Sequence, residues 1–183
     1  MGYTLERFTD DCRDILKGKQ DRAALEKVRD RLEALLKDDA FVAQYCGPDA
    51  TPGPSLLYED PELGFHVLGY AMSDPHESQP HDHGASWAVY GQAAEHTDMT
   101  EWSRLDDGTE EGKAKLEATR SYRLEPGQAG IFDDYAIHSI AYPSGARFVR
   151  ITGVDLDSIK RARFDTEAET MVVEFRNTLK DAR

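Results

Sequence analysis

Three histidines are the residues of this chain best suited to hold a metal ion. His81 and His83 are separated by one residue in the run Pro-His-Asp-His-Gly. Side chains two positions apart in an extended strand point to the same side, so both imidazoles can face one ion. His138 stands in a later strand-like segment and could supply a third ligand. The alternative is that His-Asp-His is a polar turn entering a strand. We therefore predict a metal site formed by His81, His83 and His138.

Such a ligand set has definite chemical consequences. Three neutral imidazoles contribute no charge, so a divalent ion keeps its full positive charge and favours anionic co-ligands. A facial arrangement leaves up to three positions for water, a bidentate substrate and dioxygen. Fe(II) suits oxygenase chemistry, but Zn(II), Ni(II) or Mn(II) would bind the same nitrogens, and ligand type alone does not separate them.

Composition limits the class of protein. The chain has 183 residues and a formal net charge of −13, which suits one domain and argues against nucleic acid or an anionic membrane as a partner. Cys12 and Cys46 have no metal-like spacing and fit a reducing compartment. No apolar stretch has the form of a signal peptide or a membrane span. We expect a soluble, cytoplasmic protein that binds a small molecule.

The hydrophobic pattern divides the chain into three parts. Residues 1–48 show helical spacing of apolar residues and are expected to cover one side of a β domain or to pair with another subunit as a homodimer. Residues 49–155 carry the punctuation of short strands, and residues 156–183 form a charged C-terminal extension that could pack as a strand or a helix or stay mobile. The predicted strands are 55–58, 63–72, 86–92, 97–103, 116–123, 128–132, 136–142 and 146–153.

The His-x-His pair, the turn Pro126-Gly127 and the later His138 together resemble the two motifs of the cupin superfamily. The resemblance implies a mainly β fold, a cupin-type double-stranded β-helix or jelly-roll barrel with N-terminal α-helices, in one structural domain. The glutamate that commonly follows the second histidine is replaced here, by Trp87 or Ala88. Three-histidine cupins without it resemble the thiol dioxygenases, and the run from His81 to Trp87 is similar to the cysteine dioxygenase branch. This resemblance implies Fe(II) as the metal and dioxygen as a co-substrate.

The recognition groups of cysteine dioxygenases do not match. Ser55 stands where that branch places an arginine for the substrate carboxylate, and Ala88 stands where some members have a cross-linking cysteine. The Ser-His-Tyr set of the later strand falls near Phe148, Arg150 and Thr152. These departures argue against cysteine itself as the substrate.

Pocket residues follow from alternation along the strands. By register with the family, Phe148, Arg150 and Thr152 face the barrel interior, where Arg150 could clamp a carboxylate or enolate. The alternatives for Arg150 are a structural ion pair with Asp133, Asp134 or a glutamate, or a surface position. Tyr70 and Met72 are expected to point into the same cavity, with Tyr70 also orienting the substrate. Trp87 is a further pocket candidate, although an aromatic residue there also fits the barrel core.

The predicted function is a metal-dependent dioxygenase acting on a small chelating substrate such as a thiol acid or a diketone. Two alternatives remain open at this point. One is a non-redox isomerase, lyase or hydrolase that uses the ion as a Lewis acid. The other is a non-catalytic cupin that binds a small ligand. We also expect Asp133 or Asp134 to hold the second nitrogen of His138, because ligating histidines usually have such a partner.

Overall fold

The computed structural model describes residues 2–177, and Met1 and the end of the charged extension, 178–183, lie outside the described residues. Three amphipathic helices open the chain, as the apolar spacing predicts. Each begins after a Thr or Asp whose side chain accepts a hydrogen bond from a backbone N–H of the first turn. The helices are α1 (Leu5–Leu16), α2 (Arg22–Leu35) and α3 (Asp39–Tyr45). No helix among the described residues is long and apolar enough to cross a membrane.

Eleven strands follow in the described part of the chain. Eight of the first nine correspond to the eight predicted strands, and the short β3 was not predicted. They are β1 (Gly53–Glu59), β2 (His66–Ala71), β3 (His76–Glu77), β4 (Ala88–Ala94), β5 (Thr97–Arg104), β6 (Leu116–Leu124), β7 (Ala129–Phe132), β8 (Ile137–Tyr142) and β9 (Arg147–Thr152). A short 3-10 helix, Leu156–Ser158, leads into a hairpin formed by β10 (Lys160–Asp165) and β11 (Thr170–Phe175).

The order of the strands identifies the fold. One sheet has the order β1-β2-β9-β4-β7 and the other β3-β8-β5-β6, and all pairs within them are antiparallel. Without the edge strand β1, the orders β2-β9-β4-β7 and β3-β8-β5-β6 are those in which two Greek keys form a jelly roll, with β5 and β6 joined as a hairpin in one sheet. The predicted jelly-roll barrel with N-terminal helices is therefore confirmed.

Two apolar clusters lie on opposite faces of the five-stranded sheet, one between the sheet and the helices and one inside the barrel. Outward-facing residues of the five-stranded sheet, such as Val89, Val149 and Ile151, pack against the helices. Inward-facing residues, such as Tyr90 and Phe148, form the interior cluster. Gly91 allows α2 to approach closely, since a Cβ at this position would collide with two leucine side chains of the helical layer.

The C-terminal hairpin returns to the barrel mouth beside the histidine pair. The backbone of β10 bonds to the segment before β4, where Phe164 N donates to Pro80 O at 2.9 Å and Asp82 N donates to Ala162 O at 3.1 Å. The buried carboxylate of Asp82 accepts hydrogen bonds from Gly84 N and Ala162 N at 2.9 and 2.8 Å. Asp82 therefore fixes both the turn and the hairpin that packs on it.

Candidate metal centre

The backbone brings the first and third histidines together directly. His81 and His138 form an antiparallel bridge in which each N–H donates to the carbonyl of the other at 2.9 Å. Directly opposed residues of an antiparallel pair present their side chains on the same face. His83 follows two residues later, before a turn at Gly84 that has φ +59°. A Cβ at Gly84 would collide with the carbonyl of Lys160, so the turn requires glycine.

The three imidazoles form one compact group. The ring centroids of His81 and His83 both lie within 5 Å of that of His138, at 4.6 and 4.7 Å. One ligand nitrogen from each ring lies within 4.8 Å of the others. The Nε2 atoms of His83 and His138 are buried and have no hydrogen-bond partner among the described residues. Buried nitrogens without partners are what a metal-binding group requires, and no cysteine or carboxylate of the described chain joins the cluster.

Backbone carbonyls set the orientation of two of the rings. His81 Nδ1 lies 2.9 Å from Gln79 O, and His138 Nδ1 lies 3.2 Å from Ala136 O. A carbonyl oxygen can only accept, so Nδ1 carries the proton in both rings and Nε2 keeps its lone pair for an ion. The expectation that Asp133 or Asp134 would hold His138 is wrong, because both are exposed and Asp133 accepts from Arg22 at 3.0 Å instead.

Burial keeps all three imidazoles neutral. It lowers the pKa of His81 to about 4. The pKa values of His83 and His138 lie well below the usual range, first because of burial and then because of a neighbouring imidazole. The neutral form is the one that binds a metal ion.

The cluster opens onto a cavity of about 800 Å³, a size that suits a small molecule. Aromatic side chains form its inner wall. Tyr70 and Phe148 are cross-strand partners whose stacked rings have centroids 4.5 Å apart. Tyr90, on β4, pairs across the strands with Arg150 on β9. Phe132 stacks on His138 at 4.1 Å and so packs against one side of the imidazole group.

Arg150 lies deep in this wall, as predicted. The residue is 6% exposed, its Nη1 donates to Tyr90 OH at 3.5 Å, and its guanidinium carbon lies 5.2 Å from the centre of the Tyr70 ring. Arg150 forms no salt bridge within residues 2–177, and its Nε has no partner there. The structural ion pair considered from the sequence is therefore absent from the described residues.

Tyr70 is a second buried polar residue that lines the cavity. Its hydroxyl is buried and makes no hydrogen bond to any described residue. Burial raises the pKa of Tyr70, so the phenol keeps its proton and can donate to a ligand.

The other predicted pocket residues have mixed placements. Met72 and Phe148 line the cavity. Thr152 shares the inward parity of Phe148, but its hydroxyl donates to Val154 O at 2.8 Å and it is not among the lining residues. Trp87 requires a correction, because it lies in the outer cluster and donates to Gln20 Oε1 at 3.0 Å. Strand alternation places Trp87 with Val89 on the helix side of the sheet.

The lining residues that sequence reasoning missed include Tyr90, Arg161, Arg163 and Arg176. Alternation along β4 could have identified Tyr90, since it has the parity opposite to Trp87. The three arginines belong to the charged extension, and no local pattern indicates that this extension returns to the barrel mouth.

Comparison with known proteins supports no closer assignment. No protein-family description matches the chain, and no curated protein matches it. Among solved structures, KdgF from Halomonas sp. is 11% identical with a TM-score of 0.41, and the match covers 54% of this chain and 74% of that one. The cupin domain of Cnp3 from Schizosaccharomyces pombe is 12% identical with a TM-score of 0.41, covering 56% and 64%.

A putative acetylacetone dioxygenase from Methylibium petroleiphilum PM1 is 12% identical with a TM-score of 0.39, and the match covers 70% of this chain and 76% of that one. Identities this low say nothing about activity. The fold rests on the order of the strands, and the chemistry rests on the side chains of the site.

Proposed function

We propose that the protein is a mononuclear non-haem iron dioxygenase, similar to cysteine dioxygenase-like cupins, that acts on a small chelating anion. The observation that carries the proposal is a neutral three-histidine cluster that opens onto a cavity with a buried arginine, which forms no salt bridge within residues 2–177. Neutral ligands leave a divalent ion with its full charge, and the cavity provides space for a substrate beside it. Thiol acids and diketones are the substrate types that such a site suits.

The surroundings of the cluster favour redox chemistry over Lewis-acid chemistry. Many metal-dependent lyases, isomerases and hydrolases use a side chain that takes up a proton near the ion. In the described part of the cavity, the lining carboxylates Asp74 and Glu77 and the lining imidazole of His76 are all exposed. Tyr70 is held in its protonated form, and His81, His83 and His138 are assigned to the ion. No buried general base is therefore evident among these residues.

The chain's own residues would bind and orient the substrate. When bound, Fe(II) would supply adjacent open positions for substrate and dioxygen together with the redox change that the reaction requires. Arg150 would donate paired hydrogen bonds to a carboxylate or enolate oxygen, and the Tyr70 hydroxyl would donate a further one. The rings of Tyr90, Phe132 and Phe148 would keep water from the reacting atoms.

An oxygen-uptake screen tests this proposal. The metal-free protein is loaded anaerobically with Fe(II) or Zn(II) and then mixed with aerated buffer containing a thiol acid or a β-diketone. We expect stoichiometric oxygen consumption with iron, none with zinc, and none with iron-treated His138→Ala. Equal product formation with zinc and iron would show Lewis-acid chemistry. Absence of uptake across a broad panel of both compound types would also contradict the proposal.

A further inference from the structure

Arginines are concentrated around the cavity. Arg150 comes from the barrel, whereas Arg161, Arg163 and Arg176 come from the C-terminal hairpin and the residue after it. The whole chain has a net charge of −13, so this concentration runs against the average composition. The four cations outnumber the two lining carboxylates, while Asp157 and Glu174 pair with Arg161 and Arg163 from outside the lining.

The hairpin directs its arginines toward the metal site. The backbones of Arg163 and His81 form an antiparallel bridge, and bridged residues project their side chains on the same face. Arg161 shares that face by alternation along β10. The Arg161 guanidinium donates to Arg176 O at 2.6 Å and to Asp157 Oδ1 at 3.4 Å. Arg161 therefore holds the end of the hairpin, with Arg176, against the cavity.

The positive charges occur at two depths. Arg150 lies inside the barrel and is 6% exposed. Arg163 is exposed and lies 3.5 Å from Glu174, with both side chains 44% exposed, and Arg176 is half-buried. A solvated pair of this kind is weak, so Arg163 can exchange its partner for a ligand. A ligand with a single anionic group, bound next to the ion and Arg150, would make no contact with Arg163 and Arg176 at the mouth of the cavity.

We propose that the substrate is a small organic acid with two anionic groups, one bound beside Arg150 at the metal site and the other by Arg163 and Arg176 at the mouth. The reaction type of this substrate rests on the proposed function, whereas its charge rests only on the lining of the cavity. The hairpin is then a substrate-binding element that selects dianions over monoanions.

Matched ligands measure this selectivity without turnover. Zinc-loaded protein is titrated by calorimetry with succinate and glutarate, and with butyrate and valerate as singly charged counterparts. We expect the dicarboxylates to bind at least about 10-fold more tightly than the monocarboxylates, with a preference that falls as salt is added. Equal affinities, or no dicarboxylate binding, would overturn the inference.

Substitutions then locate the second anion. Arg163→Gln and Arg176→Gln should each weaken dicarboxylate binding about 3- to 10-fold while leaving butyrate binding unchanged. Arg29→Gln, at a half-buried position of α2 beside Asp30, is the matched control and should change neither. Thermal unfolding of each variant verifies that it is folded. Equal effects on both ligand types, or no effect of either cavity variant, would overturn the assignment.

The outcome is separable from that of the oxygen-uptake screen. A dianion preference that depends on Arg163 and Arg176, without oxygen uptake for any compound, supports the inference and contradicts the dioxygenase. Oxygen uptake with monoanionic substrates, in a protein without dianion preference, supports the dioxygenase and overturns the inference.

Discussion

Replacing Arg150 with methionine should stabilise the metal-free protein, although the same change should weaken substrate binding. The guanidinium of Arg150 is buried, and no described carboxylate lies within salt-bridge distance of it. Its contacts are one long hydrogen bond to Tyr90 and the faces of two tyrosine rings at 5.2 and 6.0 Å. Methionine fills a similar unbranched volume without the charge.

The magnitude follows from opposing effects. Loss of the ring contacts and the long hydrogen bond costs about 1 to 3 kcal/mol together. Removal of a buried charge that has no carboxylate within salt-bridge distance among residues 2–177 relieves a desolvation penalty of several kcal/mol. We therefore expect the free energy of unfolding to rise by about 1 to 3 kcal/mol.

Urea unfolding of the chelator-treated protein, followed by circular dichroism, measures this difference. Arg161→Met is the matched control, since Arg161 is 7% exposed but is bonded to Asp157 and to Arg176 O. Loss of these bonds should destabilise the protein by about 2 to 4 kcal/mol. If Arg150→Met destabilises the protein as much as Arg161→Met does, the Arg150 charge is compensated and the reasoning fails.

Three further predictions concern the ligands, the turn and the helical layer. Because the pKa of His81 is about 4 and the pKa values of His83 and His138 are also low, the imidazoles stay neutral well below pH 6.5. Zinc affinity, measured by dye competition, should therefore be nearly equal at pH 7.5 and 5.5. Three histidines with the ordinary pKa would lose about 1,000-fold in zinc affinity over the same range. Gly84→Ala should lower the free energy of unfolding in urea by about 1 to 3 kcal/mol more than Gly64→Ala does. Both glycines have positive φ, but only at Gly84 would a Cβ collide with a backbone carbonyl. Equal losses would refute this steric argument. Asp60→Ala should lower the free energy of unfolding by about 2 to 4 kcal/mol, since this buried carboxylate accepts from an arginine of α1 and two backbone N–H groups. The control Asp14→Ala, at a solvated carboxylate, should lower it by under about 0.5 kcal/mol. Similar losses would show that the buried contacts of Asp60 do not stabilise the fold.

Local patterns predict the barrel strands and the inward face of β9. Period-two alternation places Phe148, Arg150 and Thr152 on one face, and the structure has that parity. The spacing of His81 and His83, with the later His138, likewise predicts the cluster. These features depend on short-range geometry, which the sequence contains.

The errors arise where the chain turns or returns from a distance. Trp87 is close to His83 in sequence, but the turn at Gly84 changes the register before β4 begins, so the inward side chain is that of Tyr90. Carbonyls two residues before His81 and His138 replace the aspartates expected to orient the rings, because any residue can supply this contact. The position of the hairpin depends on tertiary contacts through Asp82 and cannot be read from its own composition.

The metal content of protein purified without chelators tests the central claim most directly. We predict close to one iron per chain, lost in both His81→Ala and His138→Ala and retained in His76→Ala, which changes an exposed histidine. Equal metal content in all four proteins, or no metal binding on reconstitution with Fe(II), would contradict the three-histidine centre. Zinc or nickel that stays bound after reconstitution with Fe(II) would support the three-histidine metal centre but contradict the proposed iron dioxygenase.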